Sequence, residues 1–257
     1  MRGLHDVTLT ICVLIVLTVA VAAFWLAPRL AEGRILFDET PDKPAPFGYR
    51  MAWLAIRTRE TARVADILGL DMLQRANWRT GVGTVYDARL GESHIYITPP
   101  VNGWTFVLGL SLPQPLGRGF VDKSTPMLLD LAAKFPEAQY YLSYSPIDFY
   151  AWARVVDGKL VRAFAIGDEG VILNKGKASK EERGLGLKLF EVKGVKSRKS
   201  DIGPAMLVYP TEAHVMHLAG CWSLDPTSIA GNATDAALGV VCSTPARWRP
   251  ERLRRTG

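Results

Sequence analysis

The sequence predicts an α+β protein, with an N-terminal transmembrane helix followed by one domain built on a mainly antiparallel sheet and a few helices. Three observations carry that prediction. Val7–Ala27 is an uncharged apolar run of 21 positions. Short apolar or alternating segments bounded by Gly, Pro and Asn read as strands. Asp157-Gly158 stands between two such segments, the dipeptide that a tight hairpin turn favours. The chain has 257 residues, 48% hydrophobic and 22% charged. Those proportions exclude a disordered or collagen-like chain.

The apolar run comes first. As a helix it would be roughly 31 Å long, enough for the hydrocarbon core of a bilayer. Trp25 falls at headgroup level and Pro28-Arg29 close the helix. A cleaved secretory leader is the competing reading, with Ala20-Val21-Ala22 as the peptidase site. A lipoprotein is disfavoured because Cys12 follows Ile11 and sits too early. Arg2 lies before the run, and Arg29, Glu32 and Arg34 lie after it, so charge does not decide orientation. The very short leader resembles a signal anchor, which places the domain outside the cytoplasm. Residues 28–48 hold Pro28, Pro41, Pro44 and Pro46 and read as a linker. The globular domain is expected over 49–246 and a basic tail over 247–257.

Within the domain, Met51–Ile56 is short and apolar, hence a buried strand. Thr58 can cap a helix that runs through Leu68 and ends at Gly69. His94–Thr98 and Trp104–Leu112 read as strands around the Asn102-Gly103 turn. Met127, Leu128, Leu131 and Ala132 mark a helix begun near Ser124 and ended by Pro136. Gln139–Tyr144, Phe149–Val156, Leu160–Ile166 and Val171–Asn174 are strands, the last three a meander. Lys175–Gly203 reads as a mobile basic excursion. Thr211–Leu218 reads as a short helix capped by Thr211.

The net charge of +6 is local: residues 1–174 are neutral, residues 175–200 carry +6, residues 201–246 carry −4 and the tail carries +4. Neither basic segment interleaves the aromatics that stack bases, so no nucleic acid is expected as a partner. Cofactors and metals are not expected either. Gly81-Val-Gly83 and Gly184-Leu-Gly186 lack the third glycine of a dinucleotide fingerprint and read as turn glycines. His214 and His217 share a helix face but lack the Glu that follows the first His of a metalloprotease. His94 beside Ser93 could serve as a base, yet no nucleophile elbow accompanies it. Cys221 and Cys242 are either a disulfide closing a loop of about 20 residues or two small buried thiols.

The tryptophans allow two interpretations. Trp53, Trp78, Trp104, Trp152 and Trp222 either fill the core or form a concave aromatic surface. In the second case Trp104, Trp152 and Trp222 would bind a protein partner, with Asp148, Arg154 and Asp225 as polar contacts.

The strings Trp53-Leu-Ala-Ile-Arg57, Ala76-Asn-Trp78, Thr98-Pro-Pro-Val-Asn-Gly-Trp104, Ala151-Trp-Ala-Arg154 and His214-Val-Met-His-Leu-Ala-Gly-Cys-Trp-Ser223 resemble a bacterial family with no assigned activity. The resemblance spans roughly residues 50 to 230. It implies a bacterial source and a shared fold, but no function and no catalytic residue; that such proteins can occur beside secreted toxins serves only to choose between hypotheses. The resulting expectation is a single-pass inner-membrane protein with a periplasmic, non-enzymatic protein-binding module. Its sharper form is an immunity protein that covers a toxin's active site. The bilayer, through residues 7–27, and a protein are the expected partners. An envelope hydrolase using His94 or the His214/His217 pair is the alternative.

Overall fold

Every residue of Met51–Ile56 (β1) is apolar and every one is buried. A strand apolar on both faces belongs inside a sheet covered on both sides. The computed structural model, which describes residues 14–22, 37–115, 121–168, 170–187, 209–232 and 234–248, places it there. Antiparallel neighbours flank β1 on either side: Thr105–Leu108 (β4) and Glu137–Tyr144 (β5).

The remaining strands are Asp71–Ala76 (β2), His94–Ile97 (β3), Phe149–Val156 (β6), Lys159–Gly167 (β7), Gly170–Lys175 (β8) and Gly239–Ser243 (β9). They form a nine-stranded antiparallel sheet in the order β2-β9-β3-β4-β1-β5-β6-β7-β8. Alternation along the strands sorts side chains into two cores, one per face. Trp53, Tyr96, Phe106, Tyr141, Trp152 and Phe164 lie on one face. The helices Trp78–Tyr86 (α3) and Glu212–Trp222 (α6) cover it. On the other face Leu54, Ile95, Val107, Leu142 and Ala165 meet Thr61–Leu68 (α2) and Ser124–Ala132 (α4).

Two further helices lie among the described residues: Lys180–Gly184 (α5) follows β8, and residues 14–22 are helical (α1). In α1 the Thr18 hydroxyl donates to the Leu14 carbonyl at 2.7 Å. The chain divides into compact units between Leu36 and Phe37. Among the described residues no helix is long and apolar enough to cross a membrane; most of the Val7–Ala27 run lies outside them.

The α+β class, the mainly antiparallel sheet and the hairpin are as expected. Asp157 and Gly158 adopt φ 47° and 71°, the positive pair that joins β6 to β7. Several boundaries differ. Thr58 does not cap α2: its hydroxyl accepts the Glu60 N–H in a local turn, and the helix starts at Thr61. Gly81 and Gly83 are helical rather than turn residues. A Cβ at Gly81 would lie 2.3 Å from the Tyr96 ring, so the glycine lets α3 sit down on β3. The second half of the proline-rich segment is no free linker. Asp42 accepts the Trp78 and Arg79 N–H groups at 2.6 and 3.0 Å, capping α3, and Phe37 and Phe47 are buried.

The start of the basic excursion is packed too. Glu182 of α5 is fully buried and bonds Arg162 of β7 and the Trp152 indole at 2.7 and 2.8 Å. Residues 188–208, most of that excursion, lie outside the described residues, as do 249–257 of the tail. The helix at Thr211 runs on to Trp222, beyond the expected Leu218. Cys221 and Cys242 are free thiols. Cys242 packs in the α2/α4 core while Cys221 is exposed on α6, so the sheet stands between them. Burial pushes the Cys242 thiol up to about 12.

Candidate functional site

The six expected partner-binding residues do not share one surface. Trp104 and Trp152 lie in the core; Trp152 stacks on Phe164 with centroids 4.8 Å apart and spends its indole N–H on Glu182. Trp222, at the end of α6, is 6% exposed and lies under the Arg154 guanidinium, 5.6 Å from its ring centroid. Asp225, three residues on, holds the Thr227 N–H and hydroxyl at 2.8 and 2.7 Å. Asp148 belongs to the other end of β6, about 20 Å from Arg154 at a strand rise of roughly 3.3 Å per residue. Trp222 and Arg154 thus meet at one place, with Trp152 buried two residues before Arg154 on β6.

That place is a buried polar seam between β5, β6 and α6. Glu137 accepts Arg154 Nε and Gln139 Nε2, both at 2.7 Å. Gln139 accepts the Tyr141 hydroxyl at 2.6 Å and donates to the Trp222 carbonyl at 3.0 Å. Every member has a partner, so the seam seats α6 rather than offering a vacant valence.

The histidines are occupied structurally. His214 Nδ1 accepts the Thr211 N–H at 3.0 Å and closes a capping box, which requires a neutral ring. Burial, then the neighbouring His217, holds its pKa below the usual value. His217 Nε2 is 3.6 Å from Cys221 Sγ. Among the described residues no three His, Cys, Asp or Glu side chains cluster to hold a metal. Ser93 Oγ is 3.0 Å from His94 Nδ1, but the same nitrogen is 2.9 Å from the Leu90 carbonyl. A carbonyl only accepts, so Nδ1 carries its proton toward Leu90 and cannot take one from Ser93.

A concavity lies elsewhere, at the end of the sheet where β1 begins and β4, β5 and β9 finish. It encloses about 870 Å³ and is lined by Arg50, Tyr86, Arg89, Tyr144 and Trp248, among others. Sequence reasoning missed every one of these. They come from four separate segments, and only the fold assembles them. Tyr86 is 43% exposed there.

The turn that delivers Arg50 is held from two sides. Arg50 adopts φ 50°, a left-handed conformation rare for a long side chain. The Tyr86 hydroxyl donates to the Tyr49 carbonyl at 2.8 Å and accepts the Gly48 N–H at 3.2 Å. Glu212 of α6 accepts the Arg50 N–H at 2.9 Å and the Ser143 hydroxyl at 2.8 Å. Burial raises the Tyr86 phenol above its ordinary pKa, against the Gly48 N–H and with the Glu212 charge. The phenol therefore stays protonated and keeps donating.

Opposite stands the loop after α3. Asp87 accepts the Arg89 and Leu90 N–H groups, both at 2.9 Å. Those bonds hold its carboxyl below the usual range, with the Arg89 charge assisting. Gly91 closes the loop where a Cβ would lie 2.6 Å from the Val85 carbonyl.

No family model matches the chain, and neither a curated protein nor a solved structure matches it.

Proposed function

We propose that this chain is a membrane-anchored, non-enzymatic protein-binding module of the bacterial envelope, and that it receives its partner at the cleft beside Arg50. The observation that carries the reading is the cleft's make-up: exposed Tyr86 shares one hollow with Arg50, Arg89, Tyr144 and Trp248. Aromatic and arginine side chains grouped at a concave surface are the usual anchors of protein interfaces. The occupied histidines and the misdirected Ser93-His94 pair weigh against the hydrolase alternative. The Val7–Ala27 run supplies the anchor in this reading, in the inner membrane with the domain in the periplasm. Neutralisation of a secreted toxin is its sharper form.

Two measurements test it. The full-length chain is expected in the pellet after carbonate washing, and recovery from the aqueous fraction overturns the anchor. A photo-crosslinking residue at Tyr86 is expected to trap one defined protein in intact cells, and the same residue at Val161, exposed on β7, to trap none. Equal adducts from both positions, or none from Tyr86, overturn the docking face.

A further inference from the structure

We infer that the exposed face of α6 carries half of a zinc site, His217 Nε2 with Cys221 Sγ, and that a second copy of this chain supplies the other half. The inference is independent of the docking face beside Arg50. His217 and Cys221 are four apart, so they are neighbours on the helix surface, and both are exposed. Their Nε2 and Sγ atoms are 3.6 Å apart. Zinc binds thiolate sulfur at about 2.3 Å and imidazole nitrogen at about 2.0–2.1 Å, and a tetrahedral angle between those bonds sets a ligand-to-ligand edge of about 3.6 Å. The pair already spans one edge of a zinc tetrahedron. Binding exchanges a proton for the metal: the Cys221 S–H bond breaks, its electron pair goes to zinc, and the proton goes to water.

A structural zinc takes four protein ligands, and this pair supplies two. Among the described residues no third His, Cys, Asp or Glu side chain joins them in a metal-holding group, and His214 has its Nδ1 committed to the Thr211 N–H. A second α6, related by a two-fold axis through the metal, presents the same two atoms and completes a set of two thiolates and two imidazoles. The rest of the helix face admits that approach. The exposed residues of α6 are Ala213, His217, Gly220 and Cys221, two of them small and none an acid, Lys or Arg. No ionised side chain of that face has to be desolvated as the copies meet. Four such residues bury far less than the roughly 1,200 Å² of a stable interface, so the association depends on the metal.

The test uses the full chain in detergent, stripped of metal and kept under a phosphine reductant. Sedimentation reads the protein mass before and after zinc is added, and cobalt(II) serves as the spectroscopic probe of the same site. Wild type is expected to take one zinc per two chains, to release about two protons per zinc and to double its protein mass when zinc is present. Its cobalt form is expected to show thiolate charge-transfer and tetrahedral d–d bands. His217→Ala and Cys221→Ser, both on exposed positions, are each expected to bind zinc at least tenfold more weakly and to keep their metal-free mass. Cys242→Ala, on the other side of the sheet, is expected to behave like wild type. A mass that zinc does not change, one zinc per chain, or an octahedral cobalt spectrum overturns the inference. So does zinc binding that survives either α6 substitution, or a loss in Cys242→Ala as large as in Cys221→Ser.

Discussion

Asp122 shows how one side chain can fix an element. Its carboxylate accepts the Ser124 and Thr125 N–H groups at 3.1 and 3.0 Å and both their hydroxyls, at the head of α4. Lys175 Nζ stands 3.5 Å away. Burial alone would raise its pKa, but the Thr125 and Ser124 bonds and the Lys175 charge outweigh it and leave the group lowered. A carboxyl depressed in the folded state stabilises fully above its unfolded value, near 3.8, and ceases to do so as pH falls through the folded value. Asp122→Ala is therefore expected to cost about 1–2 kcal/mol at pH 7, as lost caps do. Urea unfolding at descending pH should show the gap between variant and wild type closing below about pH 4, where the unfolded carboxyl itself takes up a proton.

At the scale of elements, two glycines in α3 make opposite predictions. Gly81→Ala would drive a methyl into the Tyr96 ring, and overpacking of about 1–3 kcal/mol exceeds the gain of up to about 1 kcal/mol in helix propensity. Gly83 has open space, so Gly83→Ala keeps that gain alone. Thermal melts should move down for the first and up for the second. The same pair explains why α3 was illegible in the sequence. Two glycines two apart look like a turn, and the reason for Gly81 is a tyrosine 15 positions later on another element. β1 and the β6–β7 hairpin were legible because their signals are local, an unbroken apolar run and an Asp-Gly. β2 was not: with Met72 and Leu73 exposed at the sheet edge it shows no alternation.

For the whole molecule, the buried ion pair is the most consequential contact. Arg162 and Glu182 are 1% and 0% exposed, 2.7 Å apart, and join β7 to the segment after β8. Glu182 also takes the Ser179 N–H at 2.7 Å, and Arg162 also holds Asn174 Oδ1 at 2.7 Å. Glu182→Gln leaves a buried guanidinium uncompensated and is expected to cost about 3–5 kcal/mol. Arg162→Met combined with Glu182→Leu should cost less than either single change, read as the urea midpoint of tryptophan fluorescence. Sequence reasoning treated Glu182 as one charge in a solvated run, since nothing local distinguishes it from Glu181. The cleft escaped for a related reason: a turn pinned by two helices and walled by three strand ends exists only after the sheet closes.

The fully buried first strand has a mechanical consequence. Asp42 and Phe47 fasten the segment leading into it, through Trp78 and Arg79 and through the Pro226 carbonyl. A pull arriving at Phe37 would first work against those fastenings and then load the middle of the sheet. There β1 is held along both edges by β4 and β5. Its ladders would be sheared together rather than unzipped one at a time, so a body towed from that end would resist traction better than one towed by its outermost strand.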